Sequence, residues 1–280
     1  MALIGAHVSI AGGLEQAFAR GEELSCEVMQ IFTKNQLQWR SGPVSQGRAE
    51  RFLRAWSGSS IRDVVVHASY LINLAATDAT GEKSAAALED EIERCDILGI
   101  EDLVLHPGSS RGNPAEDSLD LVARRLGTAL ARTSHKRVNI LLETMSGQGN
   151  HLGADFRDFR RIFEALDWDP RLGMCLDTCH MFAAGHDFRT EPAYRRLIGQ
   201  IDSAVGVERV RCWHFNDSSH PLGRRLDRHA HIGEGELGYT PFSLILGDPL
   251  WEHVPCILET PQTGAGYGGD IALLRKLRGG

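Results

Sequence analysis

Short apolar runs recur along the chain, and nearly all end in a polar residue. They are LIGAH (3–7), VMQIF (28–32), VVVH (64–67), LVLH (103–106), ILLE (140–143), MCLD (174–177), VRCWH (210–214) and CILE (256–259). Several are almost uninterrupted in Val, Ile, Leu and Met, the pattern of strands buried on both faces of a parallel sheet. Segments with helical spacing lie between them. The clearest is 82–98, where Ala85, Leu88, Ile92 and Cys95 fall three and four residues apart and Gly99 follows as a stop. Helices are also predicted near 14–24, 46–57, 116–134, 155–166, 191–204 and 268–278, with a short one around 241–247.

Eight strands alternating with helices predict an α/β fold, a single (β/α)8 TIM-barrel domain spanning residues 1–280. No linker or low-complexity tract divides the chain. An open doubly wound sheet is the alternative, but no G-x-G-x-x-G follows the first strand, which removes the usual sign of a dinucleotide domain. Apolar residues at 42% and charged residues at 24% allow a sizeable core. The start MALIGAHVS has no basic leader, and nothing approaches the ~18 uninterrupted apolar residues of a membrane span. A cytoplasmic protein without membrane contact is expected.

The barrel reading makes the polar strand ends informative, because the active sites of such barrels sit at the C-terminal ends of their strands. There the sequence places His67, His106, Glu143, Asp177, His214 and Glu259, with His180 three residues after Asp177. The stretch LDRHAHIGEG (226–235) adds Asp227 and His229 from the loop after the seventh strand. One histidine ending a buried strand is usually a structural, hydrogen-bonded residue. Six successive strand ends carrying only His, Asp or Glu do not fit that explanation, since clustered carboxylates repel and lose solvation. A cation removes that cost, and these ligand types suit zinc, manganese or iron. Nine donors exceed the three or four of one tetrahedral zinc, so two or three ions sharing a bridging carboxylate are expected. Clustered divalent ions are the usual arrangement for phosphoester hydrolysis. His231 reads as structural.

The six cysteines form no C-x-x-C pair. Cys212 and Cys256 sit in apolar runs and read as buried reduced thiols. Cys175 and Cys179, a C-x3-C pair across a strand end, carry little weight as ligands. A net charge of −7 argues against a protein that coats nucleic acid generally, but leaves room for a local phosphate-seeking face. Of the 30 basic residues only Lys34, Lys83, Lys136 and Lys276 are lysine.

The motifs GAHVSIAGGL (5–14), FTKNQLQW (32–39), HASYLINLA (67–75), LHPGS (105–109), LLETMSGQGNHLG (141–153), LDTCHMFAAGHD (176–187), HFNDSSHPLGRRLDRHAHIGEGELG (214–238) and ILETP (257–261) together span essentially the whole chain. In this order they resemble endonuclease IV, the family of zinc-dependent apurinic/apyrimidinic (AP) endonucleases. The resemblance implies three Zn²⁺ per chain, with Mn²⁺ possible at one site. His67, His106 and Glu143 would hold the first ion, and Glu143, Asp177, His214 and Glu259 the second. His180, Asp227 and His229 would hold the third. It further implies Glu143 and Glu259 as catalytic carboxylates, and Asn35, Gln38, Tyr70 and Arg228 as DNA contacts. The implied substrate is double-stranded DNA with abasic sites or blocked 3′ ends, cut 5′ of the lesion by a monomer.

Two positions depart from the family pattern. Leu37 stands where arginine is common after TKNQ, and Ser219 and His220 stand where a lysine is common, so DNA-facing loops lose positive charge. A sugar isomerase or epimerase is the rival reading, because such enzymes use metal sites in related barrels. They manage with one or two ions and need a proton-transfer base, often lysine, and no lysine lies at a strand end here.

Overall fold

A computed structural model describes residues 1–264 and 266–279. Eight parallel strands close into a barrel: β1 (Leu3–His7), β2 (Val28–Ile31), β3 (Asp63–His67), β4 (Asp102–Leu105), β5 (Asn139–Glu143), β6 (Leu172–Asp177), β7 (Val210–Phe215) and, after a two-residue-per-strand antiparallel hairpin of β8 (Asp217–Ser218) and β9 (His229–Ala230), β10 (Pro255–Leu258). The helices are α1 (Gln16–Glu23), α2 (Gln46–Ser57), α3 (Ala79–Leu98), α4 (Ala115–Arg132), α5 (Phe156–Ala165), α6 (Thr178–Ala184), α7 (Glu191–Val205), α8 (Thr240–Gly247) and α9 (Gly266–Gly279). Each barrel strand pairs with its neighbours in sequence, and β10 closes the ring against β1. The open doubly wound sheet is therefore excluded.

Strand side chains alternate between the two faces of the sheet. One face supplies a closed apolar layer with a single residue from each strand: Leu3, Val28, Val65, Val104, Leu141, Cys175, Cys212 and Ile257. The other face packs against the helices in a larger core that includes Phe52, Phe159, Phe163, Trp213 and Trp251. The inner layer sets the position of everything above it. Two residues further along seven of these strands come Gln30, His67, His106, Glu143, Asp177, His214 and Glu259, which share its face one level higher. The barrel thus has an apolar floor and a polar upper level.

Helix α3 begins three residues before the periodic segment. Asp78 caps it by accepting from Thr80 N at 2.9 Å, and Gly99, at φ 71°, ends it as predicted. Strand β4 stops at Leu105 and β10 at Leu258, so His106 and Glu259 lie one residue past their strands. Helix α6 and the β8–β9 hairpin are elements that apolar periodicity did not predict. Among the described residues no helix is long and apolar enough to cross a membrane.

Candidate metal centre

All nine predicted ligand residues converge above the inner layer. Ligand atoms of His67, His106 and Glu143 lie within 4.8 Å of one another. The same holds for Glu143, Asp177, His214 and Glu259, and for His180, Asp227 and His229. Glu143 belongs to two groups and sits at their junction. Its Oε2 is 3.2 Å from His67 Nε2 and 3.1 Å from His106 Nε2, and its Oε1 is 3.1 Å from His214 Nδ1. Asp227 spans the third group, 3.2 Å from His180 Nε2 and 3.2 Å from His229 Nε2.

Four of the five rings have a defined tautomer, because the far nitrogen donates to an oxygen. His67 Nδ1 donates to Ala68 O at 2.7 Å, His180 Nδ1 to Thr144 O at 2.9 Å, and His229 Nδ1 to Glu259 O at 3.1 Å. His214 Nε2 donates to Gln30 Oε1 at 2.9 Å. In the neutral ring the near nitrogen then presents a lone pair to a carboxylate oxygen 3.1–3.2 Å away. Two acceptors facing each other require a positive charge between them. His180 Nε2 and His229 Nε2 are moreover buried without any hydrogen-bond partner. Either protons or metal ions satisfy this arrangement, and the N/O donor set fits zinc-like divalent ions.

The electrostatics agree. Burial disfavours charge on Glu143, but His214 and His106 outweigh it and hold its carboxyl well below the usual range. Glu259 is held low in the same way, against burial, by His214 and His7. Asp227 is lowered despite burial by His180 and His229. Burial opposes charge on the histidines too, yet Asp177 and Asp227 lift His180 well above its ordinary value. Glu259 and Glu143 do the same for His214, and Asp227 and Asp177 raise His229 to about 9. Asp177 is the exception, raised by its own burial. Without metal, the centre therefore holds protons where cations would sit.

Neighbouring side chains orient the ligands. Gln30, fully buried on β2, donates Nε2–H to Glu259 Oε1 at 2.8 Å while accepting from His214. An ionised carboxylate only accepts, which fixes the amide's orientation. His7 Nδ1 donates to the same Glu259 oxygen at 3.0 Å. Asn216 donates to Asp177 Oδ2 at 2.7 Å and accepts from Glu259 N at 3.0 Å. Asp177 Oδ1 accepts from His180 N at 2.7 Å, capping α6 so that its first turn presents His180. Asp217 accepts backbone N–H bonds from Gly233, Gly235, Leu237 and Gly238, folding the loop that follows His229. A side chain at Gly235 would collide with that carboxylate, its Cβ falling 2.5 Å from Asp217 Oδ1. Sequence reading missed these supporting residues. The two-residue step above the inner layer would have found Gln30, and the polar end of LIGAH marks His7.

His231 is structural as expected, bonded to Asp270 Oδ2 and Thr263 O, each at 2.8 Å. The six cysteines are all buried and unpaired. Cys175 belongs to the inner layer, and burial pushes the Cys179 thiol up to about 12, which disfavours thiolate ligation.

Beside the metal centre opens a cavity of about 600 Å³ lined by His7, Phe32, Lys34, Asn35, Tyr70, His229, Glu259 and Tyr267, among others. Tyr70 is 49% exposed, its ring 5.6 Å from that of His106, so it is not a core aromatic. Asn35, Gln38 and Arg228 are exposed, and Leu37 is 68% exposed on the same loop as the first two. Asn35 Oδ1 is partly committed, accepting from Leu37 N at 2.9 Å. Lys34, the lysine that follows the β2 end, puts its Nζ into ion pairs with Asp90 and Glu91, so it is engaged as a structural cation.

Residues 18–277 match the family model of the xylose isomerase-like TIM barrel. A probable endonuclease 4 from Chloroflexus aggregans is 46% identical, with 99% of this chain and 98% of that protein aligned. The crystal structure of endonuclease IV from Thermus thermophilus is 35% identical and superposes with a TM-score of 0.87, covering 98% of each chain. A D-tagatose 3-epimerase-like protein, 18% identical with a TM-score of 0.77 over 99% of this chain and 97% of its own, shares the fold alone. The chain belongs to the endonuclease IV family of AP endonucleases, within the xylose isomerase-like TIM barrels.

Proposed function

We propose that this chain is a monomeric, cytoplasmic enzyme of base excision repair. It hydrolyses the phosphodiester 5′ of an abasic site in double-stranded DNA and also removes blocked 3′ ends. The observation that carries the metal-dependent reading is the set of four histidine nitrogens facing carboxylate oxygens at 3.1–3.2 Å. Three divalent ions, zinc at each position or manganese at one, would be held by His67, His106 and Glu143, by Glu143, Asp177, His214 and Glu259, and by His180, Asp227 and His229. When bound, such ions supply Lewis-acid activation of water and stabilisation of the phosphoryl and leaving oxygens.

The chain's own residues do the rest. Glu143 ties two groups together through both its oxygens. Glu259, at the cavity edge, is held ionised by His214 and His7, oriented by Gln30, and takes the proton of the attacking water. The water oxygen bonds to phosphorus as the bond to the preceding 3′ oxygen breaks, and that oxygen becomes a hydroxyl by taking a proton from solvent, to which Glu259 returns the one it accepted. Tyr70 and Asn35 line the cavity, and with the exposed Gln38 and Arg228 they would meet DNA beside the lesion. Three divalent ions would bring the formal −7 close to neutrality, with the added charge concentrated at this face.

A duplex carrying one abasic analogue tests the reading directly. Incision on the 5′ side, abolished by chelator and restored by zinc, is expected. Full activity of metal-stripped protein would refute the metal assignment. Epimerisation of a sugar with no DNA incision would favour the isomerase reading.

A further inference from the structure

The loop of residues 33–42, buried at its start and exposed towards its tip, is fastened at both ends to one face of α3. At its start Thr33 Oγ1 donates to Glu91 Oε2 at 2.6 Å, and Lys34 Nζ lies 3.3 Å from Glu91 Oε1 and pairs with Asp90. At its end Arg94 Nη2 donates to Ser41 O at 3.2 Å and Gly42 O at 2.7 Å, while its Nε holds Asp90 at 2.9 Å. Lys34, Glu91 and Arg94 are all buried, at 4%, 1% and 2% exposure. Two buried positive groups are thus balanced by one buried carboxylate, Glu91, and one at the surface, Asp90, although nothing in the phosphodiester chemistry uses them. A third tie, Ser69 Oγ donating to Gln36 O at 2.7 Å, links the loop to the segment bearing Tyr70.

Buried charges are costly, and apolar packing of the same volume would commonly serve stability as well. What this arrangement supplies is a fixed position. Asp90 and Arg94 are one helical turn apart and share a face, so the loop's two ends are held by a single rigid element. Its tip, with Leu37 outermost, is presented beside the cavity mouth instead of being left to sample many positions.

We infer that Glu91 and Arg94 are positioning residues for DNA recognition, holding the 33–42 loop in the conformation that engages the duplex. This rests on the DNA reading above. Ordering the loop beforehand removes an entropic cost from binding, so loss of the tie should appear in substrate affinity and not in chemistry.

The test compares wild type with Arg94→Met and with the milder Arg94→Lys, which keeps the charge but cannot bridge both carbonyls and Asp90. KM and Kd for an abasic-analogue duplex should rise about tenfold in Arg94→Met and less in Arg94→Lys. The kcat, zinc content and hydrolysis of bis-p-nitrophenyl phosphate should stay within about twofold of wild type. Trypsin cleavage after the exposed Arg40 should accelerate about tenfold as the loop is released. Unchanged KM and Kd in both variants would overturn the inference, as would a parallel loss of small-diester turnover in Arg94→Lys. Wild-type protein that hydrolyses the small diester but ignores the abasic duplex would instead refute the DNA reading itself.

Discussion

Replacing Gln30 by leucine should weaken metal binding while leaving the barrel closed. The amide makes two bonds that matter, one to ionised Glu259 at 2.8 Å and one from His214 at 2.9 Å. A hydrogen bond to a charged group contributes about 1.5–3 kcal/mol and a neutral one about 1 kcal/mol. Leucine fills most of the same volume, so the cavity penalty is small. Part of the loss falls on the metal-free protein as well, because His214 Nε2–H is left buried without an acceptor. The share specific to the loaded state should match the usual effect of removing a partner that orients a ligand, about 10–100-fold in metal affinity. That corresponds to about 1.4–2.7 kcal/mol. Competition titration against a chromophoric chelator measures it, with circular dichroism reporting the fold. A variant that binds its ions and turns over within about twofold of wild type would mean that His214 and Glu259 are oriented without Gln30.

Glu143→Gln keeps the shape at the junction of two ligand groups but removes its charge. Turnover should fall by several orders of magnitude with the circular dichroism spectrum retained, and near-normal incision would move the reactive centre elsewhere. Zinc binding should release protons at pH 7, because His180, His214 and His229 are held protonated in the metal-free fold. Their raised values stabilise the metal-free protein fully below the ordinary 6.5, and that contribution fades as pH rises through about 9 at His229. Calorimetry in buffers of different ionisation enthalpy reads the release, and none at pH 7 would contradict the proton-for-metal picture. Tyr70→Ala should cost about 1–3 kcal/mol of duplex binding and spare small-diester hydrolysis. Equal loss of both would give the ring a structural role.

The barrel and six of its nine converging donors were legible because both follow from a period of two. An apolar strand ending in His, Asp or Glu announces its own inward face, and six strands did so. Gln30 obeys the same rule but sits inside VMQIF, where an uncharged amide ahead of Phe32 does not stand out. Helix α6 was hidden because its cap is Asp177 itself, read only as a strand end. The ties of the 33–42 loop were beyond reach for a different reason. Glu91 and Arg94 look like the solvated face of an amphipathic helix, and only partners about fifty residues away make them buried.

The ligands are drawn from six of the eight staves of the barrel, β3 to β7 and β10, or from the segments just after them. Bound ions would therefore act as a clasp across three-quarters of the ring, so that no stave in that arc could swing out without first surrendering a cation. The quadrant of β1 and β2 stands outside the clasp and is joined to it at the level of the ligands by hydrogen bonds from His7 and Gln30. Loading the centre would cross-link one long arc through its ions and leave the short one, next to the cavity, tied by its backbone ladders to β10 and β3 and by these side-chain bonds.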